Sequence, residues 1–206
     1  MNKNLFSFIA FMLLVSCGTG ISSRNNQKEI NLNEAILVAE KAEAVDTVIF
    51  LGFKFGMTNE QVVRHLEDLE DEGQVYTDSR GRYAYDFHTG QTALKLGFSP
   101  KYHEGGLYQL DFILNNHENS IGTPVLNTVL AAKTFMETDR KEFQTFITED
   151  LLGETVYTFI KNNLIIQFET PANGIMSYIN APMAHVVREQ KNAEKDSAKN
   201  RTLSDF

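Results

Sequence analysis

The sequence predicts an α+β domain: one or more antiparallel sheets with helices packed on one face, a pattern that also admits two tandem helix-plus-meander units. Three observations carry this. Thr58-Asn59-Glu60-Gln61 opens a run of helical period, the period changes to two after Gly73, and a second helical stretch is again followed by alternating runs.

Val48-Ile49-Phe50-Leu51 reads as a strand leading into the first helix. Thr58 to Gln61 is a capping box, in which the threonine hydroxyl accepts an amide and the glutamine reaches back to the cap. Met57 can staple onto Val62, and Val62, Leu66 and Leu69 recur at helical spacing, with Val63 widening the stripe, until Gly73 stops the helix. Then come four short alternating runs: Val75 to Thr77, Tyr83 to Phe87, Ala93 to Phe98 and Leu107 to Leu114. In the third, Leu94, Leu96 and Phe98 share one face while Lys95 and Gly97 share the other, as in a meander with one wet face.

A second helical stretch is expected between Pro124 and Leu152. Val129, Ala132, Met136, Phe143, Phe146 and Ile147 fit one stripe, but Asp139 falls in it, so a break near Thr138 is the alternative; Gly153 would close the segment. Thr155 to Lys161, Leu164 to Glu169 and Gly174 to Asn180 read as three more strands. Residues 75–87 align without a gap on 156–168, with Val-Tyr-Thr opening both and Phe closing both, which suggests repeat units 46–115 and 123–181.

The ends have another character. A short start containing Lys3, an apolar run from Leu5 to Val15 broken only by Ser7, and the small Ser16 have the layout of an export signal over residues 1–16. That run is shorter than the ~20 residues a membrane span needs. Residues 17–45 are expected to form a flexible tether: Gly18 to Asn31 is Gly, Ser, Asn, Gln and charge, too polar to offset its ordering entropy, with a short helix conceivable in Asn33 to Ala44. Residues 46–186 are a common single-domain length, and residues 187–206 read as a disordered polar tail, Leu203 and Phe206 being its only large apolar side chains.

Leu14, Val15, Ser16 and Cys17 closely resemble the lipobox of bacterial lipoproteins. That resemblance implies diacylglyceryl attachment at Cys17, cleavage before it, and a lipid-anchored protein of the bacterial cell envelope. Gly18 in place of an acidic residue resembles sorting to the outer membrane. Two or more acyl chains hold a protein stably where one does so only marginally. Cys17 is the sole cysteine, so no intramolecular disulfide is available and packing must hold the fold.

Phe55-Gly56-Met57-Thr58-Asn59-Glu60-Gln61-Val62 is similar to the helix start of small outer-membrane lipoproteins of the SmpA/OmlA (BamE-like) type. The tandem helix-plus-meander layout also resembles β-lactamase-inhibitor-type proteins. Both resemblances imply fold more than function. The long second helical region and the tail depart from them.

The net charge of −8, with 27 acidic against 19 basic residues, argues against nucleic acid as a partner, because affinity there comes from neutralising phosphates. No phosphate loop, nucleophile elbow or metalloprotease helix is present, and His65, His88, His103, His117 and His185 include no i, i+4 pair. Hence no cofactor and no metal site is expected. The acidic run Glu67, Asp68, Glu70, Asp71 and Glu72 reads as a wet helix face near a C-terminus, where the macrodipole disfavours anions and Arg80 or Arg82 could compensate. Asp86 and Asp111 read as outward-facing strand residues rather than an acid/base pair. Tyr83 and Tyr85, in one hairpin with Arg80 and Arg82, are the candidate partner-binding residues. The leading expectation is a non-enzymatic protein-binding or assembly module that contacts another envelope protein. An inhibitor of a secreted or periplasmic enzyme is the alternative, and a small-ligand-binding protein or hydrolase the third.

Overall fold

The computed structural model describes residues 31–43, 47–89, 92–116, 124–138, 142–151, 153–169 and 174–204. The expected signal segment and the lipobox residues Leu14, Val15, Ser16 and Cys17 lie outside these.

Helix α1 covers residues 31–40. Helix α2 (Asn59–Asp71) leads to strands β1 (Tyr76–Thr77), β2 (Tyr83–Thr89), β3 (Thr92–His103) and β4 (Gly106–Asn116). Helix α3 (Pro124–Thr138) leads to β5 (Gln144–Glu149), β6 (Thr155–Lys161), β7 (Leu164–Glu169) and β8 (Ile175–Asn180), and α4 (Ala181–Ser204) follows. The strands form one eight-stranded sheet in the order β1-β2-β3-β4-β8-β7-β6-β5. All neighbours are antiparallel. The fold is thus α+β, and a helix followed by a four-stranded meander occurs twice, the two meanders meeting where β4 pairs with β8.

Local chemistry explains the best-determined element. Thr58 Oγ1 accepts the Gln61 N–H at 3.3 Å and Gln61 Oε1 accepts the Thr58 N–H at 2.9 Å, so the capping box is closed in both directions. Val62, Leu66 and Leu69 are buried beneath α2. The helix ends in a Schellman turn: the N–H of Gln74 bonds the Leu69 carbonyl, the N–H of Gly73 bonds that of Glu70, and Gly73 takes φ +72°.

One sheet face carries the main core. Phe50, from a 3₁₀ turn at Phe50–Gly52, meets Tyr85 of β2 at 5.3 Å, Phe112 of β4 at 5.4 Å and Tyr178 of β8 at 6.1 Å between ring centroids. Phe135 of α3 does the same for the second meander, lying 5.0 Å from Phe159 and 5.8 Å from Phe168. On the other face, Leu32, Ala35, Ile36 and Ala39 of α1 and Ala181 of α4 pack on Ile160, Ile165 and Ile179. The second meander is therefore covered on both sides.

The structure departs from the sequence reading in five places. Val48 to Leu51 is no strand: Val48 makes one isolated bridge to Lys54, and the Ile49 N–H bonds the Phe53 carbonyl at 2.7 Å, so the chain doubles back and drops Phe50 and Phe53 into the core. The second helix stops at Thr138, and Phe146 and Ile147, assigned by spacing to its stripe, belong to β5; Thr145-Phe146-Ile147-Thr148 is β-branched and aromatic throughout, which favours a strand. Gly153, at φ +78°, therefore turns the β5–β6 hairpin instead of closing a helix.

The tether expected over 17–45 ends sooner. Residues 31–40 are a docked helix, because Leu32, Ala35, Ile36 and Ala39 cover the isoleucines of β6, β7 and β8. The disordered tail expected over 187–206 is helical as far as Ser204, where Glu, Lys, Gln and Ala dominate, all good helix formers. Finally, the thirteen-residue match sets β1–β2 (75–87) against β6–β7 (156–168). By position after its helix, β1 corresponds to β5, so that match is displaced by one strand from the architectural repeat.

Replacing the fully buried Phe112 by alanine should cost about 3–5 kcal/mol and Thr58→Ala about 1 kcal/mol in urea unfolding. A Phe112→Ala loss no larger than that of Thr58→Ala would contradict the placement of the aromatic core.

Candidate interaction surface

Because Leu94, Leu96 and Phe98 turn to the core, alternation puts Lys95, Gly97, Ser99 and Lys101 on the opposite face of β3. Register adds their neighbours: Lys95 stands opposite Asp86, Ser99 opposite Asp111, and Lys101 opposite Gln109, while Asp111 also faces Ser177 across the β4–β8 seam. The described helices pack their apolar stripes elsewhere, and most of the polar groups on this half of the face satisfy one another.

Two charged centres organise it. At the seam, Asp111 is only 6 % exposed. Its Oδ1 accepts the Ser177 hydroxyl at 2.8 Å and the Gln109 amide at 2.7 Å, and its Oδ2 lies 2.8 Å from the Lys101 ammonium. A buried carboxylate remains tolerable when donors surround it in this way. Nearby, burial pushes the Glu169 carboxyl above its ordinary range; the negative charges of Asp111 and Asp150 add to that, and Lys101 opposes it.

The second centre is Asp78, in the β1–β2 turn. It accepts the N–H groups of Arg80 at 2.9 Å and Arg82 at 3.0 Å, and its other oxygen meets the Arg82 guanidinium at 3.0 Å and Lys95 Nζ at 2.9 Å. The Arg82 backbone N–H first, then the Lys95 ammonium, hold this carboxyl well below the usual carboxylate range. Lys95 also lies 6.0 Å from the Tyr76 ring centroid, and the Tyr76 hydroxyl donates to Asp86 Oδ1 at 2.8 Å. Burial, then the bond to Asp86 and its charge, push the tyrosine up to about 12.

The four residues expected to bind a partner do not form one patch. Arg80 and Arg82 are exposed at the hairpin turn, Arg82 tied to Asp78. Tyr83 and Tyr85 alternate onto the core side: Tyr85 packs edge-on against Phe50, and Tyr83 sits near the acidic end of α2, where burial and then the charges of Glu70 and Glu67 push its hydroxyl up. Nor do the arginines neutralise the acidic run. Glu70 accepts from the Thr77 hydroxyl at 2.7 Å and Glu72 from the Gln74 amide at 2.6 Å. Asp86 and Asp111 are on the outward face, as alternation demands, although Asp111 is buried there.

No family model, no curated protein and no solved structure matches this chain. Its own geometry must therefore carry the reading. His65 is occupied structurally, with its Nε2 2.8 Å from the Leu51 carbonyl and its ring 4.7 Å from that of Phe53. Among the described residues no group of three or more His, Cys, Asp or Glu is placed to hold a metal ion. Surface grooves among the described residues include one of about 640 Å³ between α1 and the β5–β6 hairpin, and one of about 450 Å³ beside the start of α2, where Lys54, Arg64, His65 and Asp68 lie. Sequence reasoning missed Asp78, Lys95 and Lys101 because single charges on a wet strand face look alike until register brings them together.

The two carboxyls shift in opposite directions, so their effects on stability have opposite signs. Asp78 loses its proton more readily when folded, so its stabilisation is present above the unfolded carboxylate value of about 3.9 and fades as pH falls further. Folded Glu169 holds its proton more tightly than the unfolded chain does, so once ionised it opposes folding. Asp78→Asn should lower stability at pH 7 and Glu169→Gln should raise it, with both differences vanishing in strong acid. Thermal unfolding across pH checks this, and a shared sign at pH 7 would contradict the arrangement.

Proposed function

We propose that this chain is a lipoprotein of the bacterial cell envelope, anchored through Cys17 in the outer membrane, and a non-enzymatic module that binds another envelope protein. The observation that carries the binding part is the largely polar outer face of β1–β4, against which no described helix packs an apolar stripe. It runs from the exposed Arg80 and Arg82 at the Asp78 cluster to Lys101, and presents cationic heads, held in place by the buried carboxylates of Asp78 and Asp111, that complement an acidic partner surface. Such complementary charge gives orientation and partner choice at a protein interface. Its ionisable groups are aimed at one another, an arrangement suited to contact. The anchoring part rests on Leu14-Val15-Ser16-Cys17 and the apolar run before it. No helix among the described residues is long and apolar enough to cross a membrane. The similarity of Phe55 to Val62 to BamE-like lipoproteins supports the same location and class of work.

The joining of two helix-plus-meander units into one sheet favours a second reading, inhibition of a secreted or periplasmic enzyme, in which the same face would cover an active site. The two readings separate by what the face contacts: an assembly partner held in the membrane, or a soluble enzyme that loses activity when bound.

Cys17→Ser should abolish incorporation of labelled fatty acid and move the protein from the membrane to the soluble fraction. A photo-crosslinking residue at Arg82 or Lys101 should trap a specific envelope protein in cells. An unmodified Cys17 thiol in the native protein would sink the anchoring, and no adduct at either position would sink the binding surface.

A further inference from the structure

The sheet has two edges, and they differ in kind. β1 is two residues long and runs directly into the charged turn of Asp78, Arg80 and Arg82. Short, charged edges resist pairing with another strand. β5 pairs with β6 along all six of its residues without a bulge, so its other side is a straight row of backbone donors and acceptors. From Gln144 to Thr148 it carries neither charge nor proline. No other described strand lies beyond it. Two large apolar side chains are stranded there, Ile147 at 44 % exposure and Leu151, just past the strand, at 105 %.

We propose that this edge pairs with β5 of a second copy of the chain, the two strands running antiparallel about a two-fold axis at Ile147, so that two sheets become one. In that register Ile147 lies opposite Ile147 of the partner subunit, Phe146 opposite Thr148 of the partner subunit, and Thr145 opposite Glu149 of the partner subunit. No like charges face each other. Leu151 of one copy comes to the end of the strand where Phe143 of the partner subunit begins, so both stranded side chains gain apolar neighbours.

Phe146 also forms part of the floor of the 640 Å³ groove beneath α1, with Val38, 71 % exposed, on its wall. A second strand beside β5 would close the open side of that groove. The sheet already contains the same kind of joint, since β4 and β8 close their respective meanders and pair antiparallel at the centre. Because the β1 edge is too short and too charged to pair, association stops at two copies and makes a closed dimer instead of a fibre. Self-pairing needs no membrane anchor and does not rest on the function proposed above.

The test uses the full chain with Cys17→Ser, which has no other cysteine. It should sediment at twice the monomer mass of 23.3 kDa. Opposed residues of an antiparallel pair have Cα atoms about 4.5–5.5 Å apart, within reach of a disulfide. Added Ile147→Cys should therefore crosslink rapidly to its copy on mild oxidation. Thr145→Cys, on the same face but roughly 14 Å from its own copy in this register, should not. Ile147→Lys should give a monomer with unchanged circular dichroism whose thermal unfolding no longer depends on protein concentration, because the site is exposed within each chain and only the dimer's mass-action stabilisation is lost. A monomer before substitution, or equal crosslinking at positions 147 and 145, would overturn the proposal. So would crosslinking of Ile147→Cys to a different polypeptide in membranes, which would give the edge to a foreign strand. Membrane attachment, read separately by fractionation, is untouched by these outcomes.

Discussion

The pairing of β4 with β8 is the contact on which the rest of the molecule depends. Among the described residues it is the only place where the two meanders share backbone hydrogen bonds, and each face of the seam is reinforced by different chemistry. On the core side Phe112 and Tyr178 stand 5.9 Å apart with Phe50 against both. On the other side Asp111 draws in donors from β3, β4 and β8. Aromatic packing supplies burial at the seam, and the carboxylate supplies register: slipping β8 by one residue would carry Ser177 to the wrong face and leave a buried charge short of a donor.

That division explains why the faces of the two halves are treated differently. In the second meander Ile160, Ile165 and Ile179 make an apolar strip outside the main core, which has to be covered, and α1 with the first turn of α4 covers it. The cover is fastened by charge: the side chain of Glu40, 5 % exposed, meets Arg188 at 2.6 Å and His185 at 3.2 Å. In the first meander the corresponding strand positions include Lys95, Asp86, Ser99, Lys101, Gln109 and Asp111, with only small residues and Ile113 between them, and no described helix packs an apolar stripe there. The chain thus covers one half of its outer face and leaves the other polar, which is the physical basis for reading the latter as a contact surface.

Most of the fold was legible where local chemistry and tertiary need agree. The Thr58 capping box, the Gly73 stop and the alternation in β2, β4, β6, β7 and β8 each state their own structure. The sequence misled where spacing alone had to decide. Phe146 and Ile147 satisfy a helical stripe and a strand equally well, and their β-branched neighbours were the better guide. Pro100 hid the length of β3, which continues to His103; there β3 extends past the residues paired with β2, so a residue without an N–H is tolerated. Within the expected tether a short helix over Asn33 to Ala44 was conceivable, but its docking was not legible, because its apolar side chains carry no signal until a matching strip of isoleucines exists elsewhere. The candidate surface was the least legible part. Arg80 and Arg82 were identifiable by exposure at a turn, but the partners that fix Asp78 come from residues seventeen and four positions away, which only strand pairing brings together.

Strand order also separates the ends of the molecule in a way that bears on how it could work. The β1–β2 hairpin and β5 are the opposite edges of eight strands, and seven spacings of 4.7–4.9 Å put them roughly 33 Å apart. α1, the first described element, packs at the β5 end over β6 and β7. On the proposed anchoring, the chain arrives from the membrane at that end, and the thirteen residues from Gly18 to Ile30 could span at most about 45 Å when extended. The Asp78 cluster and the exposed arginines then lie at the far edge, beyond the crowding of the attachment point. A surface placed there can meet a partner held in the same membrane without the tether passing between them. An arrangement with α1 packed over β1–β2 would bury the charges that the binding reading depends on.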